Sequence, residues 1–192
     1  MKIGLFFGSF NPIHTGHLII ANHMVDYTAI EEVWFVVSPQ NPFKINEDLL
    51  HEDLRLNMVK AAIADNPRFK ASNIEFSLER PSYTYYTLMH LRSKFPQHEF
   101  ILIIGGDNLA QFTKWKNYKN ILQHHAVYVY ARNSIVETPQ LIQHANIRLL
   151  EVPLLNISST YIRESVKNRK SIKYLVPKEV EQMIAANGFY IE

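Results

Sequence analysis

The sequence contains no cysteine, which excludes disulfides, thiolate zinc sites and thiol nucleophiles from its chemistry. No stretch reaches the ~18 apolar residues of a membrane-spanning helix. The apolar run within MKIGLFFGSF at the start is too short for a signal peptide, and Gly8 interrupts it. Asn156-Ile157-Ser158 matches a glycosylation acceptor, but without a secretion signal the match reads as chance. These absences lead us to expect a cytoplasmic chain with no membrane partner. Charge of one sign is scarce as well. A formal net charge of +2 over 192 residues demands no large nucleic-acid footprint. The nearest basic stripe with interleaved aromatics, Lys114–Lys119 (KWKNYK), is short, so no nucleic-acid partner is expected. A few cations gathered in one cleft would still suit a small anion.

What is present is an ordinary globular composition, 47% apolar and 20% charged, in a length that suits one domain with a full core. Ile3–Phe7, Val33–Val37, Phe100–Ile104 and Val127–Tyr130 are continuous apolar runs, as expected of strands buried on both faces. Ser72–Leu78 and Arg148–Val152 are weaker strand candidates. Leu18, Ala21, Met24 and Val25 mark one face of a first helix; Leu54, Met58, Ala61 and Ala62 mark a second. Tyr83–Lys94 and Lys178–Asn187 are further helices, the last stopped by Gly188. Pro39–Asp48 and Arg132–Gln140 read as surface loops. The alternation predicts an α/β, Rossmann-like, doubly wound and mostly parallel sheet with helices on both faces. Ligands of such sheets bind beyond the carboxyl ends of the strands, at the switch point.

Two motifs carry chemistry. Gly8–His17, GSFNPIHTGH, follows the first strand and runs into the first helix, where backbone amides can meet phosphate oxygens. Gly8 and Gly16 permit close approach and Pro12 stiffens the turn. The segment is neither GxGxxG nor GxxxxGK[ST]. Its distinguishing feature is His14 and His17 on one side of a helix start, able to donate to a polyphosphate. Ile157–Arg163, ISSTYIR, offers Ser158 or Ser159 as a helix cap with Arg163 about one turn on. Hydroxyls, amides and a guanidinium at one helix start suit phosphate, although alone the segment reads better as an ordinary capped helix with a solvated arginine.

HxGH after the first strand together with ISSTxIR near the end resembles the nucleotidyltransferase superfamily related to class I aminoacyl-tRNA synthetases. Within it the chain is similar to the bacterial nicotinate-nucleotide adenylyltransferases over nearly its whole length. SPQNPFK, LRLNMVKAAI, RPSYTYYTL, IIGGDNLAQFTKWKNYKNIL and YLVPKEVEQMIAANGFY extend the likeness. The resemblance implies one nucleotidyltransferase domain over 1–192, with a helical part from about 157 carrying ISSTYIR. It implies adenylyl transfer from ATP to nicotinate mononucleotide, giving deamido-NAD and pyrophosphate. His14 and His17 are then the catalytic candidates. Gly8, Ser9, Phe10, Gly16, Asp107, Ser158, Ser159, Thr160 and Arg163 join them in binding ATP. Lys44, Ser82, Tyr83, Thr84 and Trp115 are assigned to the mononucleotide: Lys44 for its phosphate, free amides after Pro81 for the ring carboxylate, Trp115 for stacking. Magnesium is expected on the ATP phosphates, with no metal ligand from the protein.

One departure stands out. Many relatives carry Pro-His-Lys where this chain has Pro42-Phe43-Lys44, which removes a possible imidazole contact. His124-His125 precedes a strand and lacks a ligand partner at useful spacing. Sister acceptors, nicotinamide mononucleotide or phosphopantetheine, and a silent nucleotide sensor are the competing readings.

Overall fold

A computed structural model describes residues 1–40, 49–130 and 139–191 of the chain. Six strands form one sheet: β1 (Lys2–Gly8), β2 (Glu32–Val37), β3 (Phe69–Ser72), β4 (Glu99–Gly105), β5 (Val127–Tyr130) and β6 (Ile147–Leu150). Their order is β3-β2-β1-β4-β5-β6 and every neighbouring pair is parallel. The order reverses between β1 and β4, so the switch-point crevice opens beyond Gly8 and Gly105.

The central strands are buried on both faces, and alternate residues feed two separate cores. Phe6, Val33, Phe35, Val37, Ile101 and Ile103 face one side, where α1 (Thr15–Tyr27), α2 (Glu52–Ala62), α7 (Ser159–Lys167) and α8 (Lys178–Asn187) supply Met24, Met58, Ile162 and Ile184. Ile3, Leu5, Trp34, Val36, Leu102 and Ile104 face the other side. There α3 (Thr84–Lys94), α4 (Gly106–Ala110) and α5 (Tyr118–His124) supply Leu88, Leu109 and Ile121, and the 3-10 turn Phe112–Lys114 supplies Phe112. The short α6 (Pro139–Ile142) lies between β5 and β6. No helix among the described residues is long and apolar enough to cross a membrane.

The strands expected from continuous apolar runs are present, and so is the one expected at Arg148–Val152, in slightly shifted bounds. Ser72–Leu78 is corrected: β3 ends at Ser72, and Ile74–Ser77 is a 3-10 turn. The second helix turns a different face inward than expected. Leu54 is exposed, while Arg55, Met58, Val59 and Ala62 are buried at i, i+3, i+4 and i+7. Most of the two loops expected at Pro39–Asp48 and Arg132–Gln140 falls at residues 41–48 and 131–138, outside the described residues.

Candidate active site

The turn from β1 into α1 is shaped by aromatic rings. Phe10 adopts a left-handed backbone (φ 45°), uncommon for a residue with a side chain and found mainly where surroundings enforce it. Its ring is buried and passes over Gly8, where an added Cβ would come within 2.9 Å of it. A similar Cβ on Gly16 would meet the His14 ring at 3.1 Å. The glycines thus make room for side chains of their own loop, whatever they also offer a ligand.

His14 and His17 stack, with ring centroids 3.7 Å apart and planes 25° off parallel. The edges of Phe6 and Phe10 complete a collar around His17, at 5.9 and 5.1 Å. The His14 backbone N–H donates to Nδ1 of His17 at 3.2 Å. An acceptor Nδ1 places the ring proton of neutral His17 on Nε2, which is therefore a donor.

The second motif docks on this turn. Ser158 is the N-cap of α7, its hydroxyl accepting from the Tyr161 amide at 3.1 Å. Ser159, one residue on, donates instead to the Pro12 carbonyl at 2.9 Å. Arg163 donates to the Asn11 carbonyl at 2.8 Å and from its other nitrogen to the Thr160 hydroxyl at 3.4 Å. Two segments nearly 150 residues apart, Gly8–His17 and Ile157–Arg163, become one surface (Ser159 and Pro12 are 147 apart).

Sequence reasoning missed the side chains that support this surface. The guanidinium of Arg55 is 1% exposed. It donates to the carbonyls of Leu50 (2.7 Å), Ser9 (2.5 Å), Ser38 (2.9 Å) and Pro39 (3.2 Å). Burial lowers its pKa, and Glu52 works against that shift. The signal for it was an arginine standing on the apolar stripe of α2. Tyr190 has a left-handed backbone (φ 64°) and donates from its hydroxyl to Asn11 Oδ1 at 2.9 Å. Burial drives that phenol well above its ordinary pKa, with Arg163 and Arg55 pulling the other way.

A cavity beside the turn runs between the ends of β1 and β4 and the start of α3. Phe7, Gly8, Ser82, Tyr83, Thr84, Asn108, Trp115, Lys116 and Tyr130 are among its walls. α3 starts at Thr84 with no side chain capping its amides. Trp115 is half-buried, leaning on Phe112 at 5.1 Å. Lys116, unforeseen, sits 4.6 Å over the Tyr83 ring and 4.8 Å over Tyr86. Contact with Tyr86 raises its pKa. Glu75 lies in the same lining, 1% exposed. An acid amid the apolar residues of 74–78 carries no signal of this, since the stretch reads only as a weak strand candidate. Asp107 is exposed in the first turn of α4, and its Oδ1 closes over Gly105. Lys44 and Phe43 lie outside the described residues. His124 is exposed. His125 is buried against the Phe100 carbonyl at 3.0 Å, and burial lowers its pKa. Among the described residues no three His, Cys, Asp or Glu side chains gather as a metal cluster.

A Rossmann-like sheet with two joined phosphate-type motifs at its switch point is the architecture of a nucleotidyltransferase, and residues 5–165 match the family described as cytidylyltransferase-like. A Cytophaga hutchinsonii protein named "Probable nicotinate-nucleotide adenylyltransferase" is 60% identical, the match covering 99% of this chain and 98% of that one. One of the same name from Flavobacterium psychrophilum is 51% identical, with 99% of each chain covered. A solved structure, Plasmodium falciparum nicotinic acid mononucleotide adenylyltransferase complexed with NaAD, shares the fold with a TM-score of 0.83. It is 20% identical, with 99% of this chain and 97% of that one covered. The chain belongs to the nicotinate-nucleotide adenylyltransferase family.

Proposed function

We infer that the protein transfers the adenylyl group of ATP to nicotinate mononucleotide, forming deamido-NAD and pyrophosphate in NAD biosynthesis. The observation that carries this reading is the joining of the two motifs, Ser159 to Pro12 and Arg163 to Asn11, beside a cavity holding Ser82–Thr84 and Trp115. The 5′-phosphate of the mononucleotide attacks the α-phosphorus of ATP. One P–O bond forms, the bridging bond to the β-phosphate breaks, and pyrophosphate leaves with the electron pair. An ionised phosphate is already a nucleophile, so no general base is needed. Catalysis rests on aligning two anions and neutralising charge as it shifts to the leaving group.

In this reading His17 gives its Nε2–H to the α-phosphate as charge develops, with His14 next to it along the phosphate chain. Gly8, Ser9, Phe10 and Gly16 form the turn that cradles the nucleotide. Ser159 and Arg163 hold the β and γ phosphates, Ser158 and Thr160 open the helix that presents them to ATP, and Asp107 contacts the nucleotide from the end of β4. The amides that open α3 receive the ring carboxylate, Trp115 stacks on the pyridine and Lys44 meets the mononucleotide phosphate. The donor set near the turn is imidazole, hydroxyl and guanidinium. That chemistry fits a magnesium ion held by the triphosphate oxygens, where it would offset charge on the leaving pyrophosphate. The chain acts as one domain over 1–192, since Ile162, Val180 and Ile184 share a core with β1 and β2.

The test is pyrophosphate release from ATP with nicotinate and nicotinamide mononucleotides compared side by side. Higher kcat/KM for the acid is expected. Equal values would remove the acid preference and keep adenylyl transfer; no release with either would remove both.

A further inference from the structure

The acid and amide mononucleotides differ by one negative charge on the ring, so a cation placed where that charge lands tells them apart. Among the described residues the wall of the mononucleotide cavity carries two cations, Lys114 and Lys116, and one acid, Glu75, which is 1% exposed. Of the two cations, Lys116 has a defined seat. The Tyr118 amide donates to the Trp115 carbonyl at 3.2 Å, closing a tight turn with Lys116 and Asn117 at its centre. Asn117 takes a left-handed backbone there (φ 54°), which asparagine tolerates better than most residues. From this corner the Lys116 ammonium reaches α3, 4.6 Å from the Tyr83 ring centroid and 4.8 Å from that of Tyr86. The two rings stand nearly perpendicular, at 82°, and the ammonium lies over both.

We propose that the Lys116 ammonium, seated on Tyr83 and Tyr86, is a specificity determinant that favours the acid mononucleotide over the amide by attracting the ring carboxylate. This rests on the reaction inferred above. Tyr83 is the N-cap of α3, so the cation it carries stands beside the uncapped amides that open this helix. Trp115, the residue before, is the ring that stacks on the pyridine in that reading. One turn then supplies both the stacking face and the charge at the ring's edge. Tyrosine faces hold an ammonium without neutralising it. No carboxylate forms an ion pair with Lys116 among the described residues, and Glu79 acts on it only through space. An ammonium has three donors, so it can turn one toward a ligand while the rings keep their contact. The amide can accept that hydrogen bond through its carbonyl, but it brings no net charge and gains less.

The experiment measures kcat/KM for nicotinate and nicotinamide mononucleotides at neutral pH in the native protein, Lys116→Met, Lys116→Arg and Lys119→Met. Lys119 is exposed and lies outside the cavity wall, so its loss removes the same charge without touching the site. Lys116→Met should lower the acid-over-amide ratio about two- to fivefold, the size expected of one exposed cation beside one anion. The loss should fall on the acid alone. Lys116→Arg keeps the charge and stacks on tyrosine, so it should hold the native ratio, as should Lys119→Met. Raising the salt concentration should compress the native ratio toward that of Lys116→Met and leave the variant's ratio nearly level. An unchanged ratio in Lys116→Met, an equal loss with both substrates, or a matching fall in Lys116→Arg or Lys119→Met would overturn the proposal. So would the same salt response in native protein and Lys116→Met. Failure of both mononucleotides to react would count against the inferred reaction instead. The same ratio taken from calorimetric dissociation constants would then decide the role of Lys116, and absence of binding would overturn both.

Discussion

At the scale of single residues, His17 is set by its neighbours. Stacking on His14, the edges of Phe6 and Phe10, and the amide on Nδ1 fix both ring plane and tautomer. Such preorganisation costs nothing at the moment of reaction, so removing the donor should act on turnover. His17→Ala is expected to lower kcat by ~10²–10³, roughly 3–4 kcal/mol, as losing one oxyanion donor does elsewhere. Near-native turnover at saturating substrate would reject the assignment. Arg55 acts on architecture. Arg55→Met strips the donor from the carbonyls of Ser9, Ser38, Pro39 and Leu50. Offset by relief from burying a charge, the net cost should be about 2–4 kcal/mol in urea unfolding. Arg55→Lys should recover only part of it, since an ammonium lacks the planar fork.

At the scale of elements, α7 separates two tasks that a sequence of adjacent serines hides. Ser158 serves its own helix through the Tyr161 amide, and Ser159 serves the turn before α1 through Pro12. Ser158→Ala should therefore cost ~1 kcal/mol of stability, the usual value of an N-cap. Ser159→Ala should instead raise KM for ATP several-fold, on top of the ~0.5–1.5 kcal/mol that one hydrogen bond to Pro12 contributes. Thermal unfolding alongside initial rates checks the pair, and identical profiles for the two variants would refute the division. Elements also show what the sequence could reveal. β1, β2, β4 and β5 were legible because burial on both faces leaves unbroken apolar runs. α2 was legible as a helix and misread in its face, because Leu54 was read as core and an arginine does not announce itself as part of an apolar stripe. The stretch after β3 misled because four residues of 3-10 turn have no period long enough to read. The two motifs, Ser82–Thr84 and Trp115 could be singled out from local chemistry and family likeness, and they lie around one crevice. Glu75, Lys116 and Tyr190 could not, since each gains its meaning from a partner distant in sequence.

At the scale of the whole molecule, the last residues reach back to the first loop. Tyr190 donates to Asn11, and the carbonyls of Tyr174 and Leu175 accept from the hydroxyl and amide of Thr15. The C-terminal part thus holds the turn between β1 and α1 from both sides. Tyr190→Phe should cost ~0.5–1.5 kcal/mol, the net value of one hydrogen bond, and lower kcat/KM for ATP several-fold. The raised phenol adds a sign. The unfolded chain releases this proton near pH ~10 while the folded one keeps it, so stability falls as pH rises beyond that point. Alkaline unfolding of the native protein should be the steeper of the two, and equal slopes would contradict the assignment.

Arg55 has a further meaning for how such a chain can change over time. Through Pro39 and Leu50 it pins both ends of the stretch that contains Pro42-Phe43-Lys44, and through Ser9 it pins the phosphate turn independently. A stretch tethered at both ends adds only ~0.6 kcal/mol for each doubling of its length. Changes of length or sequence between Pro39 and Leu50 should then leave the turn beyond them in shape. The same bracket makes this stretch the natural place to graft a new acceptor preference.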